Sequence, residues 1–240
     1  MKKITVLWLA CMMAINAAAV VVGPNPVDSD TLHLWHFDVQ TDGLIPDMVR
    51  ANALDLAFYN GAELTASAAG CGNAANLFDG AAGNNGPFAA LAEDYNQTIT
   101  ISELTGPDGA FTFEAIVRPD VAAGSLAGHM EILSGETDNG ATDRGFQFRI
   151  QNDGVTLRFQ TLSGSTVAFD APITYTAGQW VHAAVTYNGV PNTAGNLKIY
   201  WTPLDGAVAA AEVGGPFTMT ANLDPEDPTK LCVGNELRSF

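Results

Sequence analysis

Two short apolar runs on either side of a polar loop constrain the fold more than any other part of this chain. Both lie in Gln179–Thr202, and Gly, Pro, Asn and Thr make up the loop between them. Apolar runs rich in β-branched and aromatic residues that flank such a loop are typical of a β-hairpin. Side chains alternate across a strand. Because both faces of the first run are largely apolar, we expect this strand to be covered on both sides, as in a sandwich.

Short strand patterns recur along the chain at spacings near ten residues, and no long stretch beyond the N-terminus carries an apolar stripe of helical period. The candidate strands are Leu32–Asp38, Leu54–Tyr59, Ala75–Asp79, Gln97–Ile101, Phe111–Arg118, Met130–Ser134, Phe146–Gln151, Val155–Leu162, Thr166–Phe169, Pro216–Thr220 and Leu231–Gly234. This pattern predicts an all-β fold, a two-sheet antiparallel sandwich or jelly roll. A chain of 240 residues allows one large β domain or two small ones. No shift in composition divides it, so we expect one domain over residues 31–240.

The N-terminus has the pattern of an export signal. Lys2 and Lys3 precede an apolar stretch that is too short to span a membrane, and Ala17–Ala19 supplies small residues for cleavage. We therefore expect a signal peptide at residues 1–19, a leader at 20–30, and a secreted, periplasmic or cell-surface protein of bacterial type, without a transmembrane span after cleavage. An uncleaved anchor and a lipid attached at Cys11 are the alternatives.

The charge of the chain excludes some partners. The formal net charge is −16, with 26 acidic residues against 10 basic ones. Binding to phosphate groups needs clustered Lys and Arg, so we expect neither nucleic acid nor anionic lipid as a partner. The carboxylates are scattered rather than run together, which is typical of a solvated surface.

Two cysteines would remain after removal of the signal, Cys71 and Cys232. In an exported protein, two thiols allow one disulfide, which would tie the first part of the domain to its last strand. Two separate buried thiols are the alternative.

Several segments, taken in order, resemble a known family. Leu32–Asp38, Gly72–Gly80, Phe111–Pro119, Gly178–Gly189 and Leu231–Asn235 are similar to successive strands of laminin-G-like domains in the concanavalin A-like lectin/glucanase superfamily. The resemblance spans most of the chain beyond the signal. It implies a concanavalin A-like jelly roll and a function in binding carbohydrate or extracellular protein.

The chain departs from the family pattern in two places. Trp201-Thr-Pro-Leu stands where the family strand usually runs directly into an Asp-Gly turn, which here is Asp205-Gly206. The family also has a further closing strand, and no such segment follows Leu231–Asn235. We therefore expect either a fragment or a sheet with an unpaired edge, which favours aggregation.

Catalytic patterns are weak in this sequence. Enzymes of the superfamily that resemble endo-glucanases carry Glu-x-Asp-x-x-Glu on one strand, which places the carboxylates on one face. Glu136-Thr-Asp138 provides the first half of that motif, but Ala141 stands at the last position and the segment looks like a loop. We therefore expect a non-catalytic protein, with a glycoside hydrolase as a less favoured alternative.

Two polar segments have the composition of a calcium site. Ca²⁺ takes six to eight oxygen ligands from carboxylates, amides and carbonyls. Asp138, Asn139 and Asp143 offer such oxygens around Gly140, and Asp79 offers another carboxylate at a strand end. A calcium ion is thus the one cofactor that the sequence suggests, and an ordinary solvated loop is the alternative for each segment.

Sugar binding favours exposed aromatic faces beside polar groups. Trp201 is the candidate ligand-binding residue, because it stands at the irregular end of its strand; packing in the core is its alternative. Together these features predict a secreted recognition module for glycans or extracellular proteins. A structural or adhesion domain without a small ligand is the second hypothesis.

Overall fold

The computed structural model describes residues 27–66, 73–77, 86–137, 143–163, 166–204, 210–235 and 237. Within them the chain forms fourteen strands and two short 3₁₀ turns, Arg50–Asn52 and Ile101–Glu103, with no α-helix. The strands are β1 Leu44–Ile45, β2 Leu56–Tyr59, β3 Glu63–Ala66, β4 Asn73–Asn76, β5 Phe88–Leu91, β6 Ile99–Thr100, β7 Phe111–Val117, β8 Met130–Glu136, β9 Asp143–Ile150, β10 Thr156–Ser163, β11 Val167–Pro172, β12 Val181–Tyr187, β13 Leu197–Pro203 and β14 Pro228–Val233.

All described strand pairs are antiparallel, and most strands belong to one large sheet. Its strand order is β1-β2-β5-β14-β8-β9-β10-β11, and β6 pairs with β14 beside this path. A small sheet has the order β13-β12-β7, and β3 and β4 form a separate hairpin. This confirms the predicted all-β architecture of two antiparallel layers.

Aromatic side chains fill the space between the two sheets. Phe146, Phe148 and Phe159 of the large sheet are fully buried. The ring of Phe113 in the small sheet stacks on Phe146 with centroids 4.5 Å apart, and Phe111 contacts Phe159 at 5.3 Å. Burying each such ring stabilises the fold by about 1.5–3 kcal/mol. We call this side of the large sheet its inner face.

The predicted hairpin at Gln179–Thr202 is confirmed, as β12 and β13 pair along their whole length. The face of β12 that carries Val181 and Val185 is buried in the core. The opposite face is not covered throughout: His182 and Thr186 are half-buried. The expectation of a strand covered on both sides is therefore wrong for that outward face.

The segment Leu32–Asp38 is not the strand that the sequence predicts. Its only ladder contact among the described residues is a single bridge between Trp35 and Asp47, and Phe37 has a positive φ of 53°. The segment runs irregularly because side chains rather than a β-ladder hold it. The indole of Trp35 donates to the carbonyl of Leu54 at 2.7 Å, and the ring packs against the core.

Asp47 holds the irregular segment Leu32–Asp38 against the neighbouring chain around Leu54, and we call these two segments the irregular layer. Its carboxylate is fully buried and accepts hydrogen bonds from the backbone N–H groups of Leu34, Val49 and Leu54 and from Nδ1 of His33, at 2.7–3.1 Å. Burial opposes ionisation, but the hydrogen bonds from His33 and the three N–H groups outweigh it, so the pKa of Asp47 lies below its ordinary value. One carboxylate thus fixes the layer that covers part of the inner face.

A bulge in β8 changes which of its side chains share a face. Glu131 pairs with Arg149, whereas Ser134 pairs with Gln147, two residues away on the same strand. The extra residue on β8 lies between these pairs, so Glu131 and Ser134 point to the same side although they are three apart. Strict alternation would have placed them on opposite sides.

The remaining strand predictions differ from the structure mainly in their bounds. β4 ends at Asn76, so the predicted strand Ala75–Asp79 is shifted, and its end lies outside the described residues. β5 was not predicted: its Phe-Ala-Ala-Leu run is entirely buried and has no alternation to reveal it. Pro216–Thr220 contributes only a bridge at Phe217. Among the described residues, no helix is long and apolar enough to cross a membrane.

Candidate functional site

The outer face of the large sheet, which points away from the core, carries an unusual number of buried polar side chains. Alternation along β8, β9 and β10 turns their aromatic residues inward and their charged and amide residues outward. The buried polar side chains on this outer face are Glu131, Ser134, Glu136, Gln147, Arg149, Gln151, Gln160 and Lys230. Buried polar groups are costly unless they are paired, so these side chains must find partners among one another.

Four charged side chains form a line across this face, which we call the charge row. It runs from Glu131 on β8 through Arg149 on β9 and Arg158 on β10 to Asp170 on β11, each directly opposite the next in the ladder. Arg149 donates to Glu131 at 3.0 Å, and both are nearly buried. Arg158 donates to both oxygens of Asp170, at 2.6 and 2.7 Å.

The two arginines stand directly opposite each other, although like charges at such positions repel. A carboxylate on each side neutralises them, and Gln151 lies between them. With its amide oxygen turned towards the guanidinium groups, Gln151 accepts from Nε of Arg149 and from Nη1 of Arg158, both at 3.2 Å. The hydrogen bonds that Arg158 donates to Asp170 raise the pKa of the guanidinium group, which therefore stays charged.

Solvent reaches the charge row at the β10–β11 end. The side chain of Arg158 is 26% exposed and that of Asp170 46% exposed, whereas Arg149 and Glu131 are below 10%. Ala168, two residues from Asp170 on the same face, is exposed, and its small side chain leaves the surface beside Arg158 and Asp170 uncovered. We call Arg158, Ala168 and Asp170 the surface patch. It offers one fixed donor group and one fixed acceptor group side by side.

A second set of polar contacts lies at the other end of β8. Glu136 is fully buried and stands opposite Lys230 of β14, and the side-chain amide of Gln147 donates to its carboxylate. Lys230 also donates to the side chain of Asn96 at 3.2 Å. The carboxylate thus has a cation and an amide beside it. The sequence had placed Glu136 in a loop, whereas it ends β8.

The β2–β5 side of the same face is apolar and covered. Phe88 is fully buried between the rings of Tyr59 and Tyr95, with centroids 5.1 and 6.2 Å away. Cys232 and Leu237 complete this small cluster. The charge row reaches solvent on the other side of this face, through Arg158 and Asp170 of β10 and β11.

Glu131 and Glu136 lie on one face of one strand, which is the arrangement that the absent Glu-x-Asp-x-x-Glu motif would give. Neither carboxylate is accessible: the two residues are 5% and 0% exposed. Glu131 is bound by Arg149, and Glu136 by Gln147. A general acid or nucleophile must reach its substrate, so these two carboxylates as placed serve to hold the polar face.

Trp201 does not offer a face to a ligand. The residue is 3% exposed, its indole N–H donates to the carbonyl of Thr174 at 2.9 Å, and its ring packs against Tyr175. A stacking platform needs an exposed ring, so the expectation that Trp201 binds sugar is corrected: it belongs to the core. The family departure at this point reflects a strand that continues to Pro203.

The other predicted site residues fall mostly outside the described part of the chain. Asp79, Asp138, Asn139 and Cys71 lie there. Asp143 is the first residue of β9, and its side chain is also outside the description. Cys232 is fully buried on the outer face. Among the described residues, no three His, Cys, Asp or Glu side chains are grouped to hold a metal. The calcium and disulfide predictions remain predictions.

The residues of the charge row were missed because outward polar side chains on a strand look like an ordinary solvent-facing side. A signal was present in the sequence. Gln147 and Arg149 alternate on β9 and Gln151 follows its end, and Arg158 and Gln160 come after the Asn152–Gly154 turn. Planar donors and acceptors that recur on one face of a hairpin differ from the Lys, Glu and Thr typical of exposed strands.

The family comparison agrees with the fold. A family model, Laminin_G_3, described as concanavalin A-like lectin/glucanases superfamily, matches residues 93–227. This match covers more than half of the chain, from just after β5 to just before β14. A comparison with curated proteins finds none that matches.

Solved structures that resemble the chain include the following three. Carbohydrate-binding module CBM66 from Bacillus subtilis is 12% identical with a TM-score of 0.39, covering 75% of this chain and 88% of that one. A botulinum neurotoxin type C chain, whose cell entry is described as dependent on two ganglioside molecules, is 14% identical with a TM-score of 0.45, covering 88% and 44%. A heptameric SAP-like pentraxin from Limulus polyphemus is 18% identical at 0.27, covering 52% and 61%. Likenesses this weak carry no argument about function.

Proposed function

Because this chain belongs to the concanavalin A-like lectin/glucanase superfamily, we propose that it is a non-catalytic module that binds carbohydrate on the outer face of its large sheet. We include secretion in the proposal, on the pattern of Lys2, Lys3 and Ala17–Ala19. Fold alone does not decide function, so the site must carry the argument.

The observation that carries the proposal is the exposed end of the charge row. A sugar hydroxyl both donates and accepts a hydrogen bond, so neighbouring hydroxyls match a guanidinium and a carboxylate held side by side. Arg158 and Asp170 provide this pair, and two hydrogen bonds fix their relative orientation. Gln151 accepts a hydrogen bond from the guanidinium group of Arg158 and helps to fix it, which reduces the entropy lost when a ligand binds.

Charge balance favours a neutral glycan over an acidic one. The surface patch pairs one cation with one anion, and the chain as a whole carries −16. A polyanion would meet repulsion from that surplus and would compete with Asp170 for Arg158. A neutral polysaccharide meets neither obstacle.

Native affinity electrophoresis tests the proposal directly. The purified protein is run through gels that contain laminarin, xylan, galactomannan or levan, with polygalacturonate as the acidic comparison. We expect at least one neutral polymer to retard the wild type. Ala168→Trp should reduce the retardation, because an indole at this exposed position would cover Arg158 and Asp170.

Ala51→Trp is the matched control. Ala51 is also exposed, but it lies in the 3₁₀ turn between β1 and β2, and these strands are at the opposite edge of the sheet from β11. Equal retardation of Ala168→Trp and wild type would remove the surface patch from the proposal. If no polymer retards the wild type, an adhesion domain without a carbohydrate ligand becomes the better account.

Calcium remains part of the proposal, as an ion held by Asp138, Asn139 and Asp143 or by Asp79. The connection from Glu136 to Asp143 joins two adjacent strands of the large sheet, so an ion there would brace the polar face. Ligands that bind only the folded state raise the melting temperature. We expect a rise on adding Ca²⁺ that chelator reverses and that Asp138→Ala with Asp143→Ala removes; an unchanged wild-type melting temperature contradicts it.

A further inference from the structure

A cleft of about 730 Å³ opens among three loops at the end of the small sheet where β7 begins and β12 ends. It shares no residue with the surface patch on the large sheet. The loops lead into β7, out of β12 and towards β14, and the residues that matter here are Ser102, Asp108, Asn188, Val190, Asn222 and Pro225. Its volume falls within the range of about 300–1,000 Å³ usual for small-molecule sites.

The walls of this cleft are fixed by hydrogen bonds. The hydroxyl of Tyr187 donates to the side-chain oxygen of Asn222 at 2.6 Å, and the amide of Asn222 donates to the carbonyl of Asp108 at 3.1 Å. One side chain therefore joins β12, the loop before β7 and the loop before β14. The side chain of Asn188 accepts from the N–H of Val190 at 3.0 Å, which fixes the third wall.

Two glycines allow the loops to approach this closely. Gly109 and Gly189 both have positive φ, which other residues adopt at a cost. A Cβ at Gly189 would lie 2.7 Å from the carbonyl of Asp108, and one at Gly109 would lie 2.8 Å from the side chain of Asn222. The cleft is thus preformed, and a ligand would not have to order it.

The lining has the chemistry of a neutral sugar site. Asn188, Asn222 and the carboxylate of Asp108 supply hydrogen-bonding groups, while Val190 and Pro225 supply apolar surface for the C–H face of a sugar ring. No Lys, Arg or His lines the cleft among the described residues, and Asp108 repels anions. An acidic sugar is therefore disfavoured here as well.

We propose that this loop cleft is a second carbohydrate site, which binds a neutral sugar residue and makes the module bivalent. The inference rests on the proposed function, since both sites would take neutral glycans. Two sites on one rigid module raise the avidity for a polymer that reaches both.

Amide chemical-shift mapping with short oligosaccharides tests this. The probes are trisaccharides from laminarin, xylan, mannan and levan, titrated into isotopically labelled full chain. We expect at least one probe to shift the amides of Gly109, Asn188 and Asn222 in the cleft as well as those of β10 and β11.

Val190→Trp and Val39→Trp are the matched variants, because both valines are 52% exposed and only Val190 lines the cleft. Val190→Trp should remove the cleft shifts and lower the stoichiometry from two to one, and Val39→Trp should change neither. Shifts confined to the cleft would support this site and remove the surface patch. Shifts confined to β10 and β11 would overturn the second site alone, and no shifts with any probe would overturn both.

Discussion

The inner and outer faces of β9 and β10 are built from alternate residues of the same strands, but their side chains differ in chemistry and in what they contact. Inward, Phe146, Phe148 and Phe159 pack among the rings of the small sheet. Outward, Arg149 and Arg158 stand in a line of charges. The contrast teaches that one hairpin can stabilise the fold on one side and present chemistry on the other, because each residue contributes to only one face.

The two faces also differ in how they tolerate change. Apolar packing depends on volume and is not directional, so a loss there costs free energy of unfolding wherever it occurs. Hydrogen bonds between polar groups depend on direction. Removing one partner leaves the other buried without a hydrogen bond, which lowers the free energy of unfolding. Changes to the inner face should therefore alter stability without altering ligand choice, whereas changes at the exposed end of the charge row should do the reverse.

The largest expected effect is on the inner face. Phe148→Ala removes a fully buried ring and leaves a cavity, so we expect a loss of about 3–5 kcal/mol in the free energy of unfolding. Urea unfolding measures this loss. Glycan affinity measured below the unfolding transition should stay within about twofold of wild type. A loss below about 1 kcal/mol would contradict the packing described for this face.

The irregular layer around Asp47 should give the next largest effect. Asp47→Asn removes the charge that three N–H groups and His33 share, at a cost of about 3 kcal/mol at neutral pH. Because the pKa of Asp47 is lowered on folding, its stabilisation is present above the ordinary value of 3.8 and is lost as pH falls through the folded value.

Urea unfolding of wild type and Asp47→Asn between pH 7 and pH 2 checks this. The difference in unfolding free energy should shrink as the pH falls below about 4. Asp42→Asn is the control, since Asp42 is exposed, and it should follow the wild type throughout. A difference independent of pH would mean that the carboxylate charge does not hold this layer.

The outward face of the small sheet should show the smallest effect. His182 lies 3.0 Å from Glu114, whose side chain is 43% exposed, and such pairs contribute about 0–1 kcal/mol. His182→Ala should therefore leave both the unfolding free energy and glycan affinity nearly unchanged. If glycan affinity instead falls about tenfold, the recognition surface lies on the small sheet, and the outer face of β9 and β10 is not the binding face.

The fold was predictable wherever apolar side chains alternate. The hairpin of β12 and β13 and the strand at Phe146–Gln151 were predicted correctly, because burial of one face gives the sequence a period of two. β5 was not predicted, because Phe88–Leu91 is buried throughout and its apolar residues show no period of two. Leu32–Asp38 looked like a strand, but Asp47, which holds it, is a single polar residue with no local pattern.

The candidate site was much less predictable than the fold. The sequence points to Trp201 because this aromatic residue stands at the irregular end of its strand, yet its indole packs in the core. Glu131 and Arg149 come together only through the bulge in β8 and the pairing of distant strands. Such cross-strand juxtaposition depends on register, which sequence alternation leaves undetermined. Single-sequence patterns show which side chains point outward, and only the ladder shows which of them meet.

The most direct measurement is a calorimetric titration into wild type, Arg158→Ala and His182→Ala, with an oligosaccharide of the neutral polymer that retards the wild type most. Both ion pairs, Arg158 with Asp170 and His182 with Glu114, are partly exposed, so both variants should stay folded with unfolding free energies within about 1 kcal/mol of wild type. We predict at least about tenfold weaker binding for Arg158→Ala, or about 1.4 kcal/mol, and unchanged binding for His182→Ala. Wild-type affinity in Arg158→Ala would contradict the assignment of recognition to the outer face of the large sheet.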